Sequence, residues 1–108
     1  MEAWKVHKFG GSSVADAACM LRVAAIVEGD PALRKAVVRS ACRGVTDALL
    51  GLVTAAERQD PSLEDRIEEV RQRHVGVAGE LLEGELYDGF VVELDQDCRD
   101  IAGILQTV

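Results

Sequence analysis

The chain opens with two short apolar runs and closes with long helical stripes. Between Ala3 and Phe9 the apolar residues Trp4, Val6 and Phe9 make a run that stops at Gly10-Gly11, which predicts a strand. From Ser13 to Glu28 the residues Val14, Ala17, Ala18, Leu21, Ala24 and Ala25 share one face at helical spacing. Ser13 with Asp16 three residues later suggests a capping box. Gly29-Asp30-Pro31 is a breaker. The β-branched run Ala36-Val37-Val38, extended by Arg39 and Ser40, predicts a second, buried strand. Strand, helix and strand in this order make a βαβ unit, whose strands are expected to be parallel with a right-handed crossover.

The rest of the chain predicts three helices. Val45, Ala48, Leu49, Leu52, Val53 and Ala56 form the first stripe, ended by Gln59-Asp60-Pro61. Ser62 is a good N-cap for the next, whose stripe is Leu63, Ile67, Val70, His74, Val77 and Leu81. After Glu83-Gly84-Glu85, the residues Tyr87, Val91, Leu94, Cys98, Ile101, Leu105 and Val108 alternate three and four apart, a heptad-like seam. Two strands are too few for a parallel sheet covered on both faces, and the last seam runs to the final residue. The pattern therefore predicts the front part of a larger α/β domain.

Composition narrows this picture. The chain has 108 residues, 48% hydrophobic, 29% charged and only 4% aromatic, so a core must rest on Val, Leu, Ile and Ala. The formal charge of -7 argues against nucleic-acid and anionic-membrane partners, which attract basic surfaces. Cys19, Cys42 and Cys98 form no C-x-x-C pair and no metal-ligand spacing, which suits reduced thiols and a cytoplasmic location. No signal peptide and no apolar run of membrane-spanning length is seen.

Two loops hold the candidate chemistry. Lys8-Phe9-Gly10-Gly11-Ser12-Ser13 lies where a strand ends and a helix begins. Glycines let the backbone turn tightly and approach a ligand, and the amides that follow suit phosphate. Lys8 adds a full positive charge for a transferring phosphoryl group. Neither G-x-x-x-x-G-K-[ST] nor G-x-G-x-x-G is present, and an ordinary βα turn with a surface lysine fits the spacing as well. Ser40-Ala41-Cys42-Arg43-Gly44-Val45-Thr46-Asp47 also follows a strand and precedes a helix. Ser40 and Thr46 supply hydroxyls, and Arg43 a charge for carboxylate or phosphate; Thr46 or Asp47 as a simple helix cap is the plainer reading. In a parallel sheet both loops lie at the carboxyl ends of the strands, where open α/β sheets bind ligands.

Together the segments Lys8-Phe9-Gly10-Gly11-Ser12-Ser13-Val14-Ala15-Asp16 and Val37-Val38-Arg39-Ser40-Ala41-Cys42-Arg43-Gly44-Val45-Thr46-Asp47 resemble the N-terminal signatures of aspartokinases. The resemblance runs along nearly the whole chain but covers well under half of a kinase domain of that family. It implies residues 1–108 as the N-terminal part of one catalytic domain with the amino-acid kinase fold, an αβα sandwich. It implies transfer of the ATP γ-phosphate, with Mg²⁺, to the side-chain carboxylate of L-aspartate. Lys8 would contact the phosphates and stabilise transferring charge; Gly10, Gly11 and Ser12 would cradle phosphate oxygens; Ser40 and Thr46 would lie by the aspartate. No resident metal site is implied. Arg39 departs from the family, which usually has an apolar residue there. The family's later glutamate-bearing and Gly-rich segments fall outside the resemblance, so the chain alone is expected to be inactive.

Other polar residues read as structural. His74 on an apolar stripe is expected to be hydrogen-bonded and partly buried, His7 to face away from Lys8, and Cys42 to be a small packed residue. Glu64, Asp65, Glu68 and Glu69 suit a solvated helix face, and Trp4 and Tyr87 a core or an interface. Two other readings remain: an amino-acid kinase relative with another acceptor, and a non-catalytic helical association module. The seam and the open sheet edges predict a homo-oligomer.

Overall fold

The computed structural model describes residues 3–108. Strand β1 is Lys5–Phe9, a 3-10 turn follows at Gly11–Val14, and helix α1 is Ala17–Gly29. Strand β2 is Lys35–Arg39, and helices α2, α3 and α4 are Val45–Glu57, Leu63–Leu81 and Gly84–Leu105. The expected βαβ unit followed by three helices is therefore present. The chain divides into two compact units, Met1–Thr46 and Asp47–Val108.

In the first unit β1 and β2 pair in parallel, from Lys5 opposite Lys35 to Phe9 opposite Arg39. The ladder extends at both ends, through Lys5 N–H to Arg34 O at 2.9 Å and Ser40 N–H to Phe9 O at 3.1 Å. Residues alternate between the sheet faces. His7 and Phe9 are half-buried with their rings stacked 6.2 Å apart, while Val6 and Lys8 on the other face are exposed. The expectation of a buried second strand fails, since Val37, Val38 and Arg39 are all exposed. Two strands have too few neighbours to shield a parallel sheet. Trp4 is also no core residue: it is exposed, with the Arg34 guanidinium 5.9 Å from its ring.

Helix α1 begins later than its sequence suggests. The Ser13 N–H closes the 3-10 turn onto Gly10 O, and Asp16, in extended backbone, becomes the N-cap by accepting from the Cys19 N–H at 2.8 Å. That hydrogen bond holds the Asp16 carboxyl below its ordinary pKa. The inward side carries Ala17, Met20, Val23 and Val27, whereas Ala18, Leu21, Ala24 and Ala25 are exposed. Almost every position of α1 is apolar, so periodicity alone could not choose a face.

The α1–β2 connection is pinned by Asp30. Its Oδ1 accepts from the Ala32 N–H at 2.9 Å, and its Oδ2 meets His7 Nε2 at 2.7 Å and Lys5 Nζ at 3.2 Å. Lys35 Nζ donates to the carbonyls of Val27 at 2.9 Å and Asp30 at 3.1 Å, capping the end of α1.

The second unit is helical. Its core joins Leu52 and Ala56 of α2, Ile67 of α3 and Leu105 of α4, with Leu63, Cys98, Ile101 and Ala102 packed around them. Ala55 is also buried, while Ala48, Leu49 and Val53 from the expected α2 stripe are exposed. Arg71 Nε donates to Asp95 Oδ1 at 2.6 Å, and the Tyr87 ring lies against Gly79. These pairings run in opposite directions along the two sequences, so α3 and α4 form an antiparallel hairpin. The α4 seam is thus used inside the unit, except for exposed Val108. Ser62 occupies the N-cap of α3, but its hydroxyl accepts from Arg66 Nε at 3.0 Å and makes no cap; Asp60 instead accepts the Ser62 N–H at 2.9 Å. His74 is half-buried, as expected, and Nδ1 donates to Val70 O at 2.8 Å. Among the described residues no helix is long and apolar enough to cross a membrane.

Candidate functional site

Parallel pairing brings the ends of β1 and β2 side by side, and the two βα loops with them. The Ser40 N–H bond to Phe9 O carries the ladder into the first residue of the second loop. Gly11 lies directly against that loop. A Cβ on Gly11 would stand 3.3 Å from Ala41 O and 3.7 Å from both the Cα and N of Arg43. Any side chain there would push the loops apart, so the contact requires glycine or a shift of backbone. Gly44 has φ +83°, a conformation that favours glycine, and the Val45 N–H closes the turn onto Cys42 O at 2.9 Å.

The sequence-derived site residues fall on these elements as follows. Lys8 is exposed on the face shared with Val6, opposite Val38 in the register. Gly10 ends the strand at φ −77°, with open space where a Cβ would be, so its hydrogen is not needed for close approach in this arrangement. Gly11 is half-buried, and Ser12 is exposed in the 3-10 turn. Ser40 is exposed in the second loop, and Thr46 is exposed in the first turn of α2. The backbone therefore gathers the two loops, while the side chains of Lys8, Ser12, Ser40 and Thr46 make no hydrogen bond with one another among the described residues. Chemically, the arrangement offers a lysine, hydroxyls and a closely packed glycine turn at one end of a parallel sheet. Such a surface can hold and neutralise an anion. Among the described residues no three His, Cys, Asp or Glu side chains converge in a metal-binding group.

Three features were not drawn from the sequence. The Asp30 node appeared there only as a breaker, although Asp before Pro-Ala is a good sequence for the turn in which Oδ1 takes the Ala32 N–H. The left-handed Gly44 was hidden among small residues. The pair Arg71–Asp95 lies 24 residues apart in sequence, beyond any local rule.

A parallel βαβ unit with both loops at one end has the α/β topology in which open sheets bind ligands at the carboxyl ends of their strands. Comparison with known proteins gives the relation. No protein-family model matches the chain. Its resemblance to aspartokinases is nevertheless established over practically the whole length. It is 35% identical over 107 residues, 99% of the chain, to the chloroplastic bifunctional aspartokinase/homoserine dehydrogenase 1 of Arabidopsis thaliana. The corresponding enzyme 1 of Zea mays is 36% identical over 107 residues, and the chloroplastic bifunctional aspartokinase/homoserine dehydrogenase of Daucus carota is 33% identical over 105. The chain spans about 12% of the length of these relatives, which fits the N-terminal part of an aspartokinase.

Proposed function

We propose that residues 1–108 are the N-terminal part of one aspartokinase catalytic domain, an αβα sandwich of the amino-acid kinase fold, within a longer parent. The parent transfers the ATP γ-phosphate to the side-chain carboxylate of L-aspartate, giving 4-phospho-L-aspartate for amino-acid biosynthesis towards lysine and threonine. The observation that carries this reading is the contact of Gly11 with Ala41 and Arg43, which joins into one surface the two loops that carry the resemblance. Phosphoryl transfer asks mainly for positioning and charge neutralisation. Lys8 would stabilise charge on the transferring phosphoryl group, with Gly10, Gly11 and Ser12 at the phosphate oxygens. Ser40 and Thr46 would orient the aspartate. Mg²⁺ would arrive with ATP as part of the co-substrate. A reducing compartment, the cytoplasm in the first instance, suits three cysteines without a disulfide; the plant relatives are chloroplastic by name.

The test is hydroxylamine trapping of aspartyl phosphate made from Mg-ATP and L-aspartate. The full product of the gene should form it, and Lys8→Ala should lower the rate by about a hundredfold or more. The 108-residue chain alone should form none. A parent that makes no aspartyl phosphate, or one unaffected by Lys8→Ala, contradicts the reading.

A second reading, self-association, is favoured by one observation: Val6, Val37 and Val38 are exposed on a sheet that has two strands among the described residues. It is compatible with the first and supports a homo-oligomer.

A further inference from the structure

Charge is unevenly distributed along the chain. Residues 1–46 carry seven Lys and Arg against four Asp and Glu, whereas residues 47–108 carry five against fifteen. Four of those seven cations are engaged within the first unit. Lys5 pairs with Asp30, Lys35 caps the end of α1, Arg22 reaches Cys19 Sγ at 3.1 Å and Arg34 lies over Trp4. The other three, Lys8, Arg39 and Arg43, have side chains with no hydrogen bond, ion pair or ring contact among the described residues. All three gather at the carboxyl ends of the strands.

The register explains the gathering. Arg39 is the last residue of β2 and stands opposite Phe9, so Arg39 and Lys8 straddle the strand ends from the two sheet faces. The backbone of Arg43 lies against Gly11. Among the described acids of the unit, Asp16 lies near the same end but is engaged as the N-cap of α1, accepting from the Cys19 N–H, Glu28 lies in the last turn of α1, and Asp30 is bound to His7 and Lys5 at the opposite end of the strands. Three like charges with no ion-pair partner of their own repel one another, and an anion among them reverses the sign of that interaction.

We infer that Arg39 and Arg43 join Lys8 in binding a polyphosphate anion at the carboxyl end of the β1–β2 pair. The inference rests on the phosphate reading of the first loop and adds two residues to it. A guanidinium can donate two parallel hydrogen bonds to phosphate oxygens, whereas the Lys8 ammonium acts as a point charge. It also gives a purpose to an arginine at a strand end where an apolar residue would be the ordinary choice.

The probe is inorganic tripolyphosphate, titrated calorimetrically into the 108-residue chain. Lys8→Gln, Arg39→Gln and Arg43→Gln should each weaken binding by about three- to tenfold, and Arg43→Lys should recover part of the loss. Arg22→Gln, which changes a cation that belongs to neither loop and is engaged with Cys19 on α1, should alter binding by less than about twofold. All four positions are exposed, and unchanged far-UV circular dichroism verifies folding. The inference is overturned by a wild-type chain that does not bind. It is overturned equally by arginine variants that bind like wild type, or by Arg22→Gln losing as much as the others, which would mean diffuse attraction. Preferential binding of L-aspartate, lost in Arg43→Gln, would assign Arg43 to a carboxylate and also overturn it. The kinase reading fails separately, in the hydroxylamine assay: a parent that forms no aspartyl phosphate leaves this titration standing.

Discussion

Asp30 ties three parts of the first unit together through one carboxylate. It joins β1, through Lys5 and His7, to the turn that leads into β2. The Ala32 N–H, followed by His7 and Lys5, brings its pKa from 3.8 down to about 2, against the opposing effect of burial. A carboxylate whose folded pKa lies below its unfolded value stabilises the fold above the unfolded value. That stabilisation is fully present above pH 3.8 and disappears as pH falls through about 2. Trp4 is the only tryptophan and lies in this unit, so its fluorescence reports on it. Asp30→Asn should lower the midpoint of the Trp4 transition at neutral pH and flatten its fall between pH 4 and pH 2. An unchanged acid slope in the variant would show that the node does not hold the unit. The neighbouring basic groups, Lys5, His7 and Lys35, would be left facing one another once the carboxyl is protonated, which adds to the acid sensitivity.

At the level of elements, the sheet is the unfinished part. Each strand has one partner and one open edge among the described residues, and Val6 and Val38 are 62% and 50% exposed. Open edges flanked by apolar side chains template further pairing. The purified chain should therefore be dimeric or larger by light scattering at micromolar concentration; a monomer would contradict this. The α4 seam is a poor place to probe that contact, because Cys98, Ile101 and Leu105 pack inside the second unit. Substituting Ile101 by Asp would damage the α3–α4 hairpin before it reported on association. The same comparison shows what the sequence made legible. The strand–helix–strand order, the three later helices and the α3 stripe followed from periodicity and breakers. The buried face of α1 did not, because Leu21, Ala24 and Ala25 look as apolar as Met20, Val23 and Val27. The cap of α1 moved from Ser13 to Asp16, whose carboxylate takes the Cys19 N–H; at α3 Ser62 keeps the N-cap position, but its hydroxyl makes no cap and Asp60 accepts its N–H. Of the loops, residue identities were legible, but the Gly11–Ala41 contact required the parallel register.

Across the whole molecule, the division of labour follows charge. Residues 1–46 hold a surplus of cations and the loops after β1 and β2, while residues 47–108 are strongly acidic and built around a helical core. Acidic residues in the first turns of α3 and α4, such as Glu64, Asp65 and Glu85, complement the helix dipoles there. The central claim is that the loops after β1 and β2 act as one phosphate-binding surface. The most direct measurement is amide NMR of the labelled 108-residue chain during titration with Mg-ATP. The account expects shifts at Gly10, Gly11 and Ser12 and, in the same concentration range, at Ser40 and Arg43, with the α3–α4 hairpin unmoved. No shifts at millimolar Mg-ATP, or shifts confined to residues outside the two loops, would contradict it.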